Sequence, residues 1–526
     1  MNPQIQMLLN QAVTSFQAGN LESASLILRR ILQVDPKNLP SLNILGLINA
    51  IQGSFENAID LLSKAIKLDP KNSSTHFNLA KALSDSGRDE KSIYHYKKSL
   101  ELSPQNPEVL LSLGKSLFNL GEFKEALAVY ENALLIRPNY FDALINKGAT
   151  LKELRSFEGA LTCADQAIAL NPESAEAWLN KGVAFKELKH LEEALSCYKK
   201  SLSLKPEFAD ALSNKGNVFR ELKDYDKAMK CYDEALMLHP DFAEPWLNKG
   251  ALLKELGQHV GAKECYEKAI SLKPSMKWMH GDYLLLKLTL GELDGVLSDS
   301  EWLSQQILTG KKISDPFPVL SLVDSPNIHK LASESYCQDK YPANPLLGPI
   351  TKYPKKEKIR IGYFSPDFRS HPVAYLTAGL FEMHDKSKFE IFAFSLRNPG
   401  GPDQMTERLI KSFDKFIDLE LSSDLEIAKL ARDLQIDIAV DLAGFTQGSR
   451  LGVFALRAAP VQVNWLGYPG TIGADYMDYI FADKTVISED DQKYYSEKVV
   501  YLPHTYIPDD SSRIPSQRKF TRGECG

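Results

Sequence analysis

The sequence predicts an α + α/β protein, an all-helical array followed by a parallel α/β sheet domain. Three observations carry that prediction. Prolines at 36, 70, 104, 138, 172, 206, 240 and 274 recur at one 34-residue interval. Apolar residues between them keep helical spacing, as in Ala126-Leu127-Val129-Tyr130-Ala133-Leu134. From Lys358 the pattern changes to short apolar runs separated by helical stretches and Gly/Pro/Asp-rich loops, the order expected of a parallel sheet. At 526 residues the chain is also too long for one ordinary core.

A 34-residue period is that of tetratricopeptide helix–turn–helix units, and residues 1–274 hold about eight of them. Gly46, Gly114, Gly148, Gly182, Gly216 and Gly250 share one phase, where a missing side chain lets two helices approach closely. Ala58, Ala126, Ala160, Ala194, Ala228 and Ala262 share another. The proline ends each second helix because the residue before it is driven out of the α region. A single unit cannot hold a core, so the predicted superhelix is stabilised by stacking. Cys163, Cys197, Cys231 and Cys265 also stand 34 apart, at a slot that holds Leu61, His95 and Val129 elsewhere. That spacing reads as a small packing position; a metal site needs converging ligands at close spacing.

One further phase points to binding. Asn78, Asn146, Asn180, Asn214 and Asn248 recur two residues before the Gly/Ala slot, with Ile44 and Ser112 breaking the series. Asn is slightly unfavourable inside a helix, by about half a kcal/mol against Ala. Its carboxamide can pair with both groups of a peptide bond, so a column of Asn would grip an extended peptide by its backbone. Repeat duplication, or Asn bonding its own helix, would give the same column without function.

Residues 275–356 read as capping helices and linker, with Leu284 to Leu308 helical but out of phase and Asp315-Pro316-Phe317-Pro318 as a hinge. Residues 357–526 read as the sheet domain. Strands are expected at 359–364, 389–394, 436–440, 461–465, 476–481 and 499–502, with a helix over Leu425 to Leu434. Ligands in such sheets bind beyond the carboxyl ends of the strands. The loops there are Ser365-Pro366-Asp367-Phe368-Arg369-Ser370-His371-Pro372, Asp441-Leu442-Ala443-Gly444-Phe445-Thr446 and Leu466-Gly467-Tyr468-Pro469-Gly470-Thr471. Asp367 and His371, four apart on one loop, form a candidate orienting carboxylate and base.

Composition sets bounds. A net charge of −6 gives no support for nucleic-acid binding. No apolar run reaches the ~20 residues of a bilayer span, and the opening MNPQIQMLLNQ lacks the order of a signal peptide. The expected compartment is the cytoplasm, or the nucleus in a eukaryotic host. No P-loop or dinucleotide fingerprint occurs, which argues against nucleoside-triphosphate hydrolysis and NAD chemistry.

The Asn-bearing repeats followed by IRIGYFSPDFRSHP, DLAGFTQGSR, ALRAAPVQVNWLGYPGTIG, MDYIFAD and YSEKVVYLPHTY resemble the protein O-GlcNAc transferase family, tetratricopeptide-containing and SPINDLY-like. The resemblance implies that 357–526 is the first Rossmann-like lobe of a GT-B glycosyltransferase. It implies UDP-GlcNAc as donor, no metal or other cofactor, and inverting transfer to Ser/Thr of peptides held in the array. By motif, His371 and Asp367 take the catalytic places, Pro372 faces the donor sugar, and Arg450 faces the acceptor or its loop. Gly467, Pro469 and Gly470 would wall the sugar pocket. Val373 and Tyr375 stand where animal members have Thr and His, and Phe317 and Pro318 where they have a His pair, so a SPINDLY-type O-fucosyltransferase is an alternative. The family's second lobe is not found before the last residues, Arg522 to Gly526. A separate chain supplying that lobe is then an expected partner, and a catalytically inactive peptide-binding scaffold is the competing reading.

Overall fold

The computed structural model describes residues 3–351, 353–397, 403–512, 518, 521 and 523, so most of the stretch Arg522 to Gly526 lies outside the described residues. The chain forms two compact units, Met1–Val218 and Phe219–Gly526, divided inside the helix Ala209–Glu221. In the first unit, helix pairs run from Pro3–Gln17 with Leu21–Val34 to Ala175–Glu187 with Leu191–Leu204. Each second helix stops where the sequence requires. Asp69, before Pro70, sits at φ −137° and ψ 87°, and Arg137, before Pro138, at φ −132° and ψ 89°.

The glycine phase does what its spacing implies. A Cβ on Gly114 would lie 2.4 Å from the Tyr130 ring, and one on Gly182 would lie 2.6 Å from Tyr198. Both tyrosines are fully buried, so the missing side chain is space already occupied by a ring. Where Ala164 takes the tyrosine's slot, the nearest atom to a Cβ on Gly148 is 3.4 Å away. Cys163 and Cys197 are buried packing residues, and burial pushes the Cys197 thiol up to about 11.

The second unit continues the pairs through Tyr225–Leu238, Ala243–Glu255 and His259–Leu272. The segment expected to cap the array is the helices His280–Thr289, Val296–Leu308, Pro316–Leu322 and Pro326–Lys340. Asp339, on the last of these, accepts from the Trp278 indole at 2.9 Å and from Lys312 at 2.6 Å.

After it in the chain, the described residues form a seven-stranded, all-parallel sheet: β1 Ile359–Ser365, β2 Phe389–Ser395, β3 Lys415–Asp418, β4 Ile438–Asp441, β5 Val461–Asn464, β6 Tyr479–Ala482 and β7 Lys498–Tyr501. The spatial order is β3-β2-β1-β4-β5-β6-β7. Alternate residues of β1 serve opposite faces. Ile361 and Tyr363 pack with the helices Pro372–Met383 and Gln404–Ser412, while Phe364 packs with Asp424–Asp433 and Leu451–Ala455. Phe364 and Phe394 stack at 4.2 Å on the second face. Burying a side chain of that size stabilises the fold by about 1.5–3 kcal/mol.

Two strand expectations are corrected. The edge strand β3 was not expected, because Lys-Phe-Ile-Asp lacks an apolar run and both ends are exposed. The strand expected at 476–481 begins only at Tyr479. Tyr476 and Met477 are core residues of the preceding turn, and the Tyr476 carbonyl accepts from the Gln462 side chain at 2.7 Å.

Candidate functional site at the sheet's switch point

From β1 the chain winds outward to β2 and β3, then returns to the other side of β1 as β4 and runs on to β7. The reversal between β1 and β4 is the switch point at which doubly wound sheets open a crevice beyond their carboxyl ends. Phe364 pairs in register with Asp441, and Asp441 with Asn464. The three sequence-predicted loops therefore leave from neighbouring strand ends.

The first loop is built to present His371. The hydroxyl of Ser365 accepts from the Asp367 amide at 3.0 Å, turning the chain sharply out of β1. Asp403, at the start of the helix Gln404–Ser412, accepts from both the amide and the hydroxyl of Ser370. His371 is the N-cap of Pro372–Met383, its Nδ1 accepting from the Val373 amide at 3.3 Å, and Pro372 fills the first helical position. Asp367 Oδ2 lies 3.7 Å from the same Nδ1, with the Asp367 side chain 11% exposed and that of His371 33% exposed. Arg369 approaches the other carboxylate oxygen at 3.4 Å. The structure thus brings together the two residues placed as base and orienter.

The second and third loops are locked to each other by glycines. Gly444 has φ +59°, and a Cβ there would fall 2.4 Å from Tyr468 Cβ. A Cβ on Gly467 would fall 2.1 Å from the Leu442 carbonyl oxygen, and one on Gly470 would fall 2.7 Å from the Tyr468 ring. Leu466, just before Gly467, holds φ 75°, a conformation costing a branched residue about 1–3 kcal/mol unless its surroundings impose it. The second loop also reaches the first: a Cβ on Gly448 would meet Pro366 at 2.9 Å.

Asp441 is buried at the end of β4, and its carboxylate accepts from the amides of Ala443 at 2.9 Å and Gly444 at 3.1 Å. Burial raises its pKa from 3.8 to about 6, against the smaller lowering by those two amides. Because the folded carboxyl titrates above the unfolded one, folding takes up a proton between the two values. Stability is then highest at low pH in that window and falls as pH rises toward 6, by roughly 3 kcal/mol in all. Asp441→Asn should flatten that slope in urea melts followed across the window. An unchanged slope would assign the titration elsewhere.

The remaining expected site residues are placed as follows. Pro372 is exposed at the helix start, and Pro469 accepts at its carbonyl from the Tyr495 hydroxyl at 3.2 Å. Arg450 is already engaged: its Nε binds Asp424 at 2.6 Å and its guanidinium reaches the Ser422 carbonyl at 2.9 Å. In the first unit Asn78, Asn146, Asn180 and Asn214 are each half-buried on the first helix of a pair; in the second unit Asn248 is likewise half-buried. Asn146 donates to the Asp142 carbonyl at 2.7 Å, and Asn214 donates to that of Asp210 at 2.9 Å. The lysine that follows Asn146, Asn180, Asn214 and Asn248 carries a signal missed in the sequence. Lys147 pairs with Glu131 at 3.1 Å and Lys181 with Asp165 at 2.7 Å, each tying the first helix to the second. Asp403 and the buried Asn464 were also missed. Asn464 donates to the carbonyls of Tyr468 and Gly470 at 3.2 and 3.3 Å, and its burial sets it apart from an ordinary polar residue at a strand end.

This architecture defines a class: a tetratricopeptide array joined to a doubly wound lobe of the kind that opens a GT-B glycosyltransferase. Residues 343–519 match the model of glycosyl transferase family 41. Residues 175–208, 209–242 and 243–276 match the tetratricopeptide repeat, and residues 3–139 match the tetratricopeptide domain of cytochrome c-type biogenesis protein H. The chain is 36% identical over 162 residues to a protein of Arabidopsis thaliana described as the probable UDP-N-acetylglucosamine–peptide N-acetylglucosaminyltransferase SEC. It is 38% identical over 160 residues to the UDP-N-acetylglucosamine–peptide N-acetylglucosaminyltransferase of Caenorhabditis elegans, and 33% identical over 151 residues to SPINDLY of Arabidopsis thaliana. These matches cover 31%, 30% and 28% of this chain, and 16%, 14% and 16% of the three relatives. An O-GlcNAc transferase mutant of Thermobaculum terrenum aligns over 70% of this chain and 58% of its own, at 23% identity and a TM-score of 0.32. Residues 343–519 thus resemble glycosyl transferase family 41 and the repeats before them the tetratricopeptide motif, a combination similar to the N-acetylglucosaminyltransferases SEC and SPINDLY, of whose length the matched stretch spans only a small part.

Proposed function

We propose that this protein transfers N-acetylglucosamine from UDP-GlcNAc to Ser or Thr hydroxyls of peptides bound by its helical array, with the cytoplasm as its compartment. The observation that carries the reading is the His371–Asp367 pair at the switch point between β1 and β4. In the resting arrangement Nδ1 accepts from the Val373 amide, so a neutral ring carries its proton on Nε2 and acts as a donor. Closing the 3.7 Å gap to Asp367 by less than about 1 Å would let Nδ1–H donate to that carboxylate and leave Nε2 bare. Nε2 then takes the proton of an acceptor hydroxyl as its oxygen bonds to the anomeric carbon, and the bond to UDP breaks with its electron pair leaving on the phosphate. The two tautomers give one residue a donor state and a base state.

The supporting feature in the array is the Asn phase. Asn146 and Asn214 spend one amide hydrogen each on their own helix, which leaves a second N–H and the carbonyl oxygen for a peptide. Replacing Asn180 and Asn214 together by Ala should weaken peptide binding about tenfold or more at an unchanged melting temperature. Equal affinity would remove the Asn phase from the binding surface. The transfer reading itself is tested by incubating the protein with radiolabelled UDP-GlcNAc and a Ser/Thr-rich peptide. Label in the peptide is the expected result. Its absence under conditions where peptide binding is measurable would favour a binding scaffold. The family matches give no support to a separate chain supplying a second lobe.

A further inference from the structure

A cleft in the first unit has a polar device that the other repeats lack. Its volume is about 530 Å³; Leu79 and Leu83 form buried walls, and Ile59, Lys91, Tyr94 and His95 line it further. His95 Nδ1 lies 3.0 Å from His76 Nδ1, and His76 Nε2 lies 3.1 Å from the Pro70 carbonyl oxygen. Both histidines depart from the array. The slot of His76 holds Leu42, Leu110, Leu144 and Trp178 in other repeats, and the slot of His95 holds Leu61, Val129 and Cys163. Two apolar positions have become histidine in one repeat and in hydrogen-bond contact. His76 is also buried, a costly place for an imidazole that serves only packing.

The array itself fixes the tautomers. A carbonyl oxygen can only accept, so His76 Nε2 carries a proton. The repeats with tryptophan in that slot repeat the contact: the Trp178 indole donates to the Pro172 carbonyl, and the Trp246 indole donates to that of Pro240, both at 2.9 Å. A neutral His76 then has a bare Nδ1, which must accept from Nδ1–H of His95. His95 is left with a bare Nε2, the reverse of the tautomer that free histidine prefers. Burial and the neighbouring His76 hold the His95 ring neutral, with its pKa lowered to about 4. On the rim, Arg88 is held by Glu56, whereas among the described residues no carboxylate lies within ion-pair distance of Lys91. Glu90 lines the same cleft beside Lys91 but forms no ion pair with it, so the Lys91 ammonium stays available to a ligand carboxylate.

We infer that this cleft is a second peptide-binding site, one that takes an aliphatic side chain next to an acidic residue. The aliphatic group would pack on Ile59, Leu79 and Leu83, a peptide N–H would donate to His95 Nε2, and the carboxylate would meet Lys91. This site uses other residues than the Asn phase, so its failure and the failure of the transfer reading are separable.

Two measurements on the full chain test it. Nitrogen-15 spectra of the histidine rings, assigned with His76→Leu and His95→Val, should show His95 protonated on Nδ1; a proton on Nε2 would overturn the inference. An array of random short peptides should then select sequences with an aliphatic residue beside Asp or Glu. Their affinity should fall about tenfold or more in His95→Val and in Lys91→Glu. His95→Val restores a residue the array already uses at this slot, so loss of binding is not loss of folding. Selected peptides without that pairing, equal affinity in the variants, or no peptide bound by the unaltered protein would each overturn it.

Discussion

His371→Asn should lower sugar transfer by about 10²–10⁴-fold while the protein melts as before. The choice of Asn matters because His371 has two structural tasks that must be separated. Its Nδ1 caps the helix Pro372–Met383 through the Val373 amide, and losing such a cap costs about 0.5–2 kcal/mol. An Asn oxygen can take over the cap but cannot hold a proton near neutral pH. His371→Ala removes both, so it should lose activity to the same extent and stability in addition. Asp367→Asn supplies the third arm. It leaves the cap intact and removes the carboxylate 3.7 Å from Nδ1, so the base tautomer is no longer favoured. Its loss should be smaller than that of His371→Asn and should show in kcat more than in KM. Near-normal turnover in His371→Asn would dismiss the residue from the chemistry and leave it as a helix cap.

The helical half was readable in advance because its punctuation is covalent. A proline fixes its own φ and restricts the residue before it, and that restriction recurs at Asp69 and Arg137 as the spacing predicts. The glycine phase was equally readable, since a helix–helix contact too close for a Cβ tolerates little else, as Gly114 against Tyr130 shows. The sheet was read from apolar runs, which is why the polar edge strand Lys415–Asp418 escaped notice. In the site, the pairing of Asp367 with His371 was visible because both lie on one loop. The grip of Asp403 on Ser370 joins residues 33 apart across two strands, and no local pattern announces it. Asp441 stood in a loop of evident interest, but its burial and raised pKa depend on strands that pack on either side.

Gly467→Ala should destabilise the protein by about 1–3 kcal/mol or more, an overpacking cost with little room for relaxation. The reason is the identity of the neighbours. The added Cβ would meet the Leu442 carbonyl oxygen at 2.1 Å, its carbon at 3.0 Å and Ala443 Cα at 3.2 Å, all backbone. A flexible side chain can swing aside, but these atoms belong to the turn that begins at Asp441. Moving them stretches the two hydrogen bonds that the Asp441 carboxylate accepts from the amides of Ala443 and Gly444, at 2.9 and 3.1 Å. The Leu466 φ of 75° next door leaves the third loop no spare conformation. A glycine that only walled a sugar pocket would behave differently, since Ala there would weaken donor binding and leave the melting temperature alone. Thermal melts and donor titrations on the same variant therefore distinguish two reasons for one residue. A fall in stability that precedes any change in donor affinity assigns Gly467 to the packing of one loop on another. The site then depends on that contact because the loops leaving β4 and β5 can hold their ends together only where neither backbone carries a side chain between them.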